Sequence, residues 1–121
     1  MSVVVIQSNN IIPIDFGQFE LQFQISDDNL VKREEHLNAV MDVGDKAKEL
    51  KDSESLPLVK EVCQKAFDDL FGPEAFEKVY ALSGNSAMET ASMLLQALNG
   101  VIIEYRKRVE ASNDSFTKYL K

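Results

Sequence analysis

The sequence predicts an α+β domain: a short N-terminal antiparallel β-hairpin or sheet followed by a mainly helical bundle of three to four helices. Two patterns support this fold. Apolar and polar residues alternate strictly from Phe19 to Ile25, and apolar residues recur at helical spacing through most of the chain after Ser26. A length of 121 residues suits one domain with one core. We therefore expect a single domain, 1–121, with a β-hairpin region (1–25), a helical region (26–111) and a short C-terminal tail (112–121).

The β-hairpin region contains three candidate strand segments. The β-branched run Val3–Ile6 predicts a buried strand that ends before the turn-forming pair Asn9-Asn10. The next run, 11–16, includes Pro13, which cannot donate to a ladder, so it predicts an edge strand or an irregular approach to one. The alternating run 19–25 predicts a strand with one wet face, and Gly17 lies where a hairpin turn is needed.

The first half of the helical region carries two helix patterns. Ser26 and the two acids after it predict the N-cap of a first, largely exposed helix that bends at Gly44. The segment 52–55 predicts a break, and Pro57 then suits the first turn of a second helix. This second helix has a continuous apolar stripe and stops at Gly72-Pro73; the stripe comprises Val59, Val62, Cys63, Ala66, Phe67, Leu70 and Phe71.

The second half predicts a short helix up to Leu82 and a long last helix. Ser86 and Glu89 have the spacing of a capping box, which satisfies two backbone N–H groups at a helix start. We expect this last helix to pack on the second one and to end after Ala111. The aromatic and apolar residues beyond it, Phe116, Tyr119 and Leu120, then belong to the tail.

Charge and composition narrow the function classes. A net charge of −7 and a pI near 4.7 argue against binding the phosphate backbone of nucleic acid. No apolar run is long enough to cross a bilayer. A single cysteine excludes an internal disulfide, and the N-terminus lacks the pattern of a signal peptide, so we expect a soluble cytosolic protein.

Residues for catalysis are scarce, and we predict that the chain is not an enzyme. His36 is the one imidazole, and its charged neighbours favour a solvated surface residue over a general base. Cys63 lies within the apolar stripe of the second helix and is more typical of a core thiol than of a nucleophile. An enzyme would need convergent carboxylates that the sequence does not reveal.

No cofactor or metal is expected either. The histidine and cysteine counts exclude a structural zinc site, and adjacent acids such as Asp68-Asp69 diverge by about 100° on a helix. The five glycines are spread singly and form no phosphate-binding loop. The basic cluster 106–108 complements the C-terminal dipole of the last helix, with a docking patch as the alternative.

Aromatic residues are numerous for so short a chain, and the excess over what one core needs would supply an interface. We identify five candidate anchors for a helix-in-groove contact with a partner: Phe67, Phe71, Phe76, Tyr80 and Tyr105. The alternative is that these side chains all fill the core.

The order of these features resembles the small tail-assembly chaperones of phages and prophages of Gram-positive bacteria. The similarity extends from about Ile11 to Arg108. It is most specific between Phe67 and Tyr80, where the pattern Phe-x-x-x-Phe-Gly is followed by Phe-Glu-Lys and then by a capped helix.

The resemblance implies a non-enzymatic helper in the host bacterial cytoplasm. Such a helper coats the long, aggregation-prone tape-measure protein while the tail tube polymerises around it, and then leaves. The resemblance also implies self-association into open or ring-like assemblies. It transfers no binding residue to this chain. A phage- or plasmid-encoded acidic inhibitor, which would occlude a nucleic-acid enzyme with carboxylates in place of phosphates, is the alternative.

Overall fold

The expected α+β fold is confirmed in a computed structural model that describes residues 2–6 and 9–119, with side chains described up to 113. The described residues form a two-stranded antiparallel sheet and four helices. Their bounds are β1 Ile11–Asp15, β2 Glu20–Gln24, α1 Asp27–Ala47, α2 Asp52–Phe71, α3 Ala75–Leu82 and α4 Ala87–Tyr119.

The hairpin forms where the sequence predicts it. Gly17 adopts a φ of 91°, which glycine reaches without a Cβ clash, and its N–H donates to the Asp15 carboxylate at 2.7 Å. The rings of Phe16 and Phe19 stack across the turn at 5.2 Å. The pairing places Leu21 and Phe23 of β2 in the core and leaves the polar side chains of that strand exposed.

The prediction of a buried strand at Val3–Ile6 is wrong for this structure. Residues 2–6 belong to no strand, and the four apolar side chains are 81–90% exposed. A β-branched run favours extended backbone, but a strand forms only where another strand supplies hydrogen-bond partners.

The first helix begins as predicted, because the Ser26 hydroxyl accepts a hydrogen bond from the N–H of Asn29. It continues through Gly44 to Ala47. The second helix begins at Asp52 and not near Pro57, so the predicted break at 52–55 is helical. Ser55 is buried one turn before Val59, and tertiary packing of that extra turn outweighs the weak helix preference of serine. Pro57 lies exposed in the second turn.

The start of α4 is stabilised by a small polar network. The N–H of Glu89 donates to the Ser86 hydroxyl at 3.1 Å, which is one half of the predicted capping box. The N–H of Ser86 is satisfied by the Ser83 hydroxyl instead of by Glu89. Thr90, fully buried, donates to the Ser86 carbonyl at 2.8 Å. Within the described residues, no buried side-chain nitrogen or oxygen lacks a partner.

The last helix is longer than predicted. It has 33 residues, so its axis is about 50 Å long, and it continues through 112–119 where we expected a tail. Leu120 and the side chains of Phe116 and Tyr119 lie outside the described residues. The polar run 112–115 has modest helix preference, but the preceding turns already provide the nucleus, so extension costs little.

The core centres on α2, which packs against α1, α3, α4 and β2. Its predicted stripe is confirmed, since Val59, Cys63, Ala66, Phe67 and Leu70 are buried. Glycines at positive φ follow two of the helices: Gly72 comes after α2, and Gly84 comes shortly after α3.

Gly72→Ala should lower the free energy of unfolding by about 1 kcal/mol, because Gly72 has a φ of 100° that a Cβ disfavours. Gly100→Ala is the matched control. It lies inside α4, where an added Cβ meets nothing within 4 Å, so it should raise stability by up to about 1 kcal/mol. Urea unfolding measures both, and equal effects of the two variants would contradict this account of Gly72.

Candidate functional site

The five predicted aromatic anchors do not form one free surface. Phe67 is fully buried and Phe76 is 4% exposed, so both are core residues and cannot be direct contacts for a partner in this structure. Phe71, Tyr80 and Tyr105 are partly buried against the core. Aromatic pairing explains the burial, because Phe67 contacts Phe71 and Phe76 at centroid distances of 5.9 and 6.4 Å, and Phe76 stacks on Tyr80 at 5.2 Å.

An apolar groove lies instead between α1, α2 and α4. Its volume is about 400 Å³, and we call it the methionine groove, since Met41 and Met88 line it and are 56% and 54% exposed. Gly44 widens it, because no side chain projects there. The other lining residues are Val40, Val59, Ala91, Ser92, Leu95 and Gln96.

The composition of the methionine groove suits binding of an apolar helix. Methionine has three rotatable bonds and a polarisable sulfur, so a surface rich in methionine adapts to side chains of different shapes. The groove is bounded by helices, the usual geometry for accepting an amphipathic helix along its apolar face. None of its lining residues is charged, so contact with a partner there would be made by apolar and neutral polar side chains.

A second groove of about 490 Å³ runs between β1 and α4 and is more polar. Arg108 lines this groove, and its guanidinium is hydrogen-bonded within the chain. It donates to the backbone carbonyls of Asn9 and Ile11 at 3.0 and 3.1 Å, and to the Glu104 carboxylate at 3.2 Å. These bonds tie the start of β1 to the last helix. Arg108 therefore has a structural role, and the basic cluster 106–108 is not a uniform docking patch.

Comparisons with protein-family models, curated proteins and solved structures return no match.

His36 is not the solvated surface residue that the sequence predicts. Its side chain is 19% exposed, and Nε2 lies 2.7 Å from Oδ2 of Asp69 on α2. Lys32 Nζ lies 3.3 Å from the other oxygen of the same carboxylate and 3.2 Å from Asp28. The hydrogen bond from His36 is the main cause that holds the pKa of the Asp69 carboxyl below its ordinary value, with Lys32 lowering it further. This cluster joins α1 to α2.

Arg33 makes a buried contact between helices that the sequence did not predict. It is 9% exposed, and its Nε donates to the backbone carbonyl of Leu98 in α4 at 3.1 Å. Burial lowers the pKa of the guanidinium, which nonetheless stays protonated because arginine titrates far above neutral pH. A charged residue on an exposed helix carries no sequence pattern that reveals a partner in a distant helix.

Metal and nucleophilic chemistry receive no support from the described residues. Among the described side chains, those of 2–6 and 9–113, no three or more of His, Cys, Asp and Glu are grouped as metal ligands. Burial raises the pKa of the Cys63 thiol to about 12, so almost none of it is the reactive thiolate at neutral pH. In the same residues, no helix is both long and apolar enough for a transmembrane segment.

Asp69→Asn should reduce stability near neutral pH by less than about 1 kcal/mol, since the carboxylate is partly exposed. Because the pKa of Asp69 is lower in the folded than in the unfolded chain, its carboxylate stabilises the fold fully at pH values above the unfolded pKa of 3.8. This stabilisation is lost as the pH falls through the folded pKa. The stability difference between wild type and variant should therefore shrink as the pH falls below 3.8 and disappear below the folded pKa of Asp69. Urea unfolding across this range measures it. The neighbouring Asp68→Asn, which removes an exposed carboxylate outside this cluster, is the control for a general change of charge.

Cys63 should resist alkylation in the folded protein. The thiol is fully buried with a pKa near 12, so iodoacetamide at neutral pH should react only after the chain opens. Mass spectrometry in native buffer and in urea compares the two rates. Fast labelling in native buffer would show that the core around α2 is open.

Proposed function

We propose that this chain is a non-enzymatic tail-assembly chaperone that binds a helical segment of the tape-measure protein in the methionine groove. The observation that supports this proposal is the groove itself, with two half-exposed methionines at the surface of a protein whose described aromatic side chains are all buried in the core or packed against it. Apolar surface of this kind needs a partner to cover it.

The groove favours a helical client over an extended one. Its walls are helix faces, and the side chains on them repeat at helical spacing: Met88, Ala91 and Leu95 follow one another along α4. An amphipathic helix inserts residues at i, i+3 or i+4 and i+7 into such a surface. A long coiled-coil-rich protein presents many equivalent segments of this type. The tape-measure protein is the client that the resemblance implies.

Charge supports a chaperone role in a second way. A net charge of −7 keeps a complex soluble when many copies cover an apolar client, because like-charged complexes repel one another. Several acids are paired locally, as in Lys65–Glu61 and Lys48–Asp45, so the acids do not form an unbroken anionic face. This pairing favours the chaperone over the alternative of an acidic inhibitor that imitates nucleic acid.

Co-expression with a long, coiled-coil-rich tape-measure protein tests the proposal. We expect the client to become soluble and to co-purify with the chain. A client that stays insoluble and unbound in the presence of the folded wild-type chain would contradict the function.

The double variant Met41→Lys, Met88→Lys tests the groove. Both side chains are more than half exposed, so the fold should tolerate lysine, while charge in the apolar contact should weaken binding of a client helix at least tenfold. Fluorescence anisotropy with a labelled client peptide measures the affinity. Ile103→Lys, an exposed apolar site that does not line the groove, is the control and should bind as wild type does.

A further inference from the structure

The two edges of the β-sheet differ in how much hydrogen-bonding capacity they leave open. The N–H of Ile25 donates to the Asn10 carbonyl at one end of the hairpin, and the N–H of Phe16 donates to the Phe19 carbonyl at the other. With the register of the strands, these two bonds show which residue pairs are hydrogen-bonded to each other across the ladder and which are not. Backbone groups of every second residue therefore point away from the ladder. On β1 these residues are Ile11, Pro13 and Asp15, and on β2 they are Glu20, Gln22 and Gln24.

The outer edge of β1 is blocked. Pro13 has no N–H to donate. The N–H of Ile11 is bound by the Asn9 side chain at 3.1 Å, and its carbonyl is bound by Arg108 at 3.1 Å. An added strand would have to break these bonds, so β1 is protected against strand addition.

The outer edge of β2 is open. Among the described residues, only its Gln24 carbonyl has a partner, the Asn29 side chain at 2.9 Å. The outward N–H and C=O groups of Glu20 and Gln22 have none in this part of the chain, and both residues are exposed. An open row of backbone groups on an edge strand is a template for another strand.

The same chain carries a strand-forming segment without a partner. Val3, Val4, Val5 and Ile6 are 90%, 81%, 88% and 87% exposed. Four consecutive β-branched residues have the highest preference for a sheet, and their apolar surface gains from burial.

This segment has no suitable edge within its own chain. The strand that follows this segment in the chain is β1, and its outer edge is blocked. To reach the outer edge of β2, the short link from Ile6 to Asn10 would have to cross the end of β2. The chain itself leaves the sheet there, through Ile25 and Ser26 into α1.

We propose that Val3–Ile6 of one copy adds as a third strand to the β2 edge of a second copy. Four residues span about 13 Å, which fits within the five-residue strand Glu20–Gln24. Alternate side chains of the added strand lie on the core side of the sheet. There they extend the apolar surface of Phe23 and of the partly buried Phe71, whose rings are 6.2 Å apart.

The contact joins two different surfaces, since one copy gives a strand and the other gives an edge. Each copy retains one free strand or one free edge after a single contact. Copies therefore assemble head to tail into a ring or an open chain, or two copies exchange strands reciprocally. This interface is separate from the methionine groove and is independent of the proposed client.

Light scattering of purified variants tests the interface. Gln22→Pro removes an outward-pointing N–H of β2. The hairpin should accept it, because Pro13 occupies the position opposite Gln22 on β1. Replacing Val3–Ile6 by four serines removes the donated strand and leaves β2 unchanged. Wild type should have a mass above 13.6 kDa that grows with concentration, and each variant alone should have the mass of one chain. Val31→Ser, an exposed apolar site on α1, should assemble as wild type.

Mixing the two variants distinguishes strand addition from any other contact. The serine variant keeps an open edge and the proline variant keeps a strand, so an equimolar mixture should form a one-to-one complex and nothing larger. Wild type that stays a single chain up to millimolar concentration would overturn the proposal. So would a serine variant that assembles as well as wild type, whether or not Gln22→Pro folds.

Discussion

Burial of α2 is the constraint on which the rest of the structure depends. This helix packs against α1, α3, α4 and β2, so its apolar stripe must fit several neighbours at once. Cys63, Ala66 and Phe67 are all fully buried on it. Small residues beside a large ring let the neighbouring helices approach closely while the ring fills the space between them. The positions of the methionine groove and of the sheet follow from that packing.

Two arginines add direct hydrogen bonds between elements other than α2. Arg33 ties α1 to a carbonyl of α4, and Arg108 ties α4 to two carbonyls near the start of β1. Guanidinium groups donate several hydrogen bonds in a fixed geometry, and the bond from Arg33 satisfies the Leu98 carbonyl in a buried contact. These bonds make the long last helix a support for both the groove and the hairpin.

The division of apolar residues between core and surface defines what the protein can bind. The described aromatic rings lie in the core or pack against it, and Phe67 and Phe76, which pair there, are buried. Flexible methionines and β-branched residues remain at the surface, in two places with different geometry. A groove between helices selects a helix, and an open strand edge selects a strand. The chain thus presents two exposed apolar features of different geometry.

Local features were readable from the sequence alone. The Ser26 cap, the turn at Gly17, the helix end at Gly72 and the α2 stripe each depend on residues within a few positions of one another, and the structure confirms them. The helix bounds near Pro57 and beyond Ala111 were wrong because helix extension depends on packing and on the existing helix as much as on propensity.

Only the tertiary structure decided which apolar residues are free. The sequence determined which residues are apolar and at what spacing they recur, but periodicity marks Phe67 and Met41 alike as residues of a helix face. Burial depends on what lies opposite, and the partners of Phe67 and Arg33 come from other elements of the chain. The methionine groove, the ion cluster around Asp69 and the open edge of β2 arise from such distant neighbours, which no local pattern records.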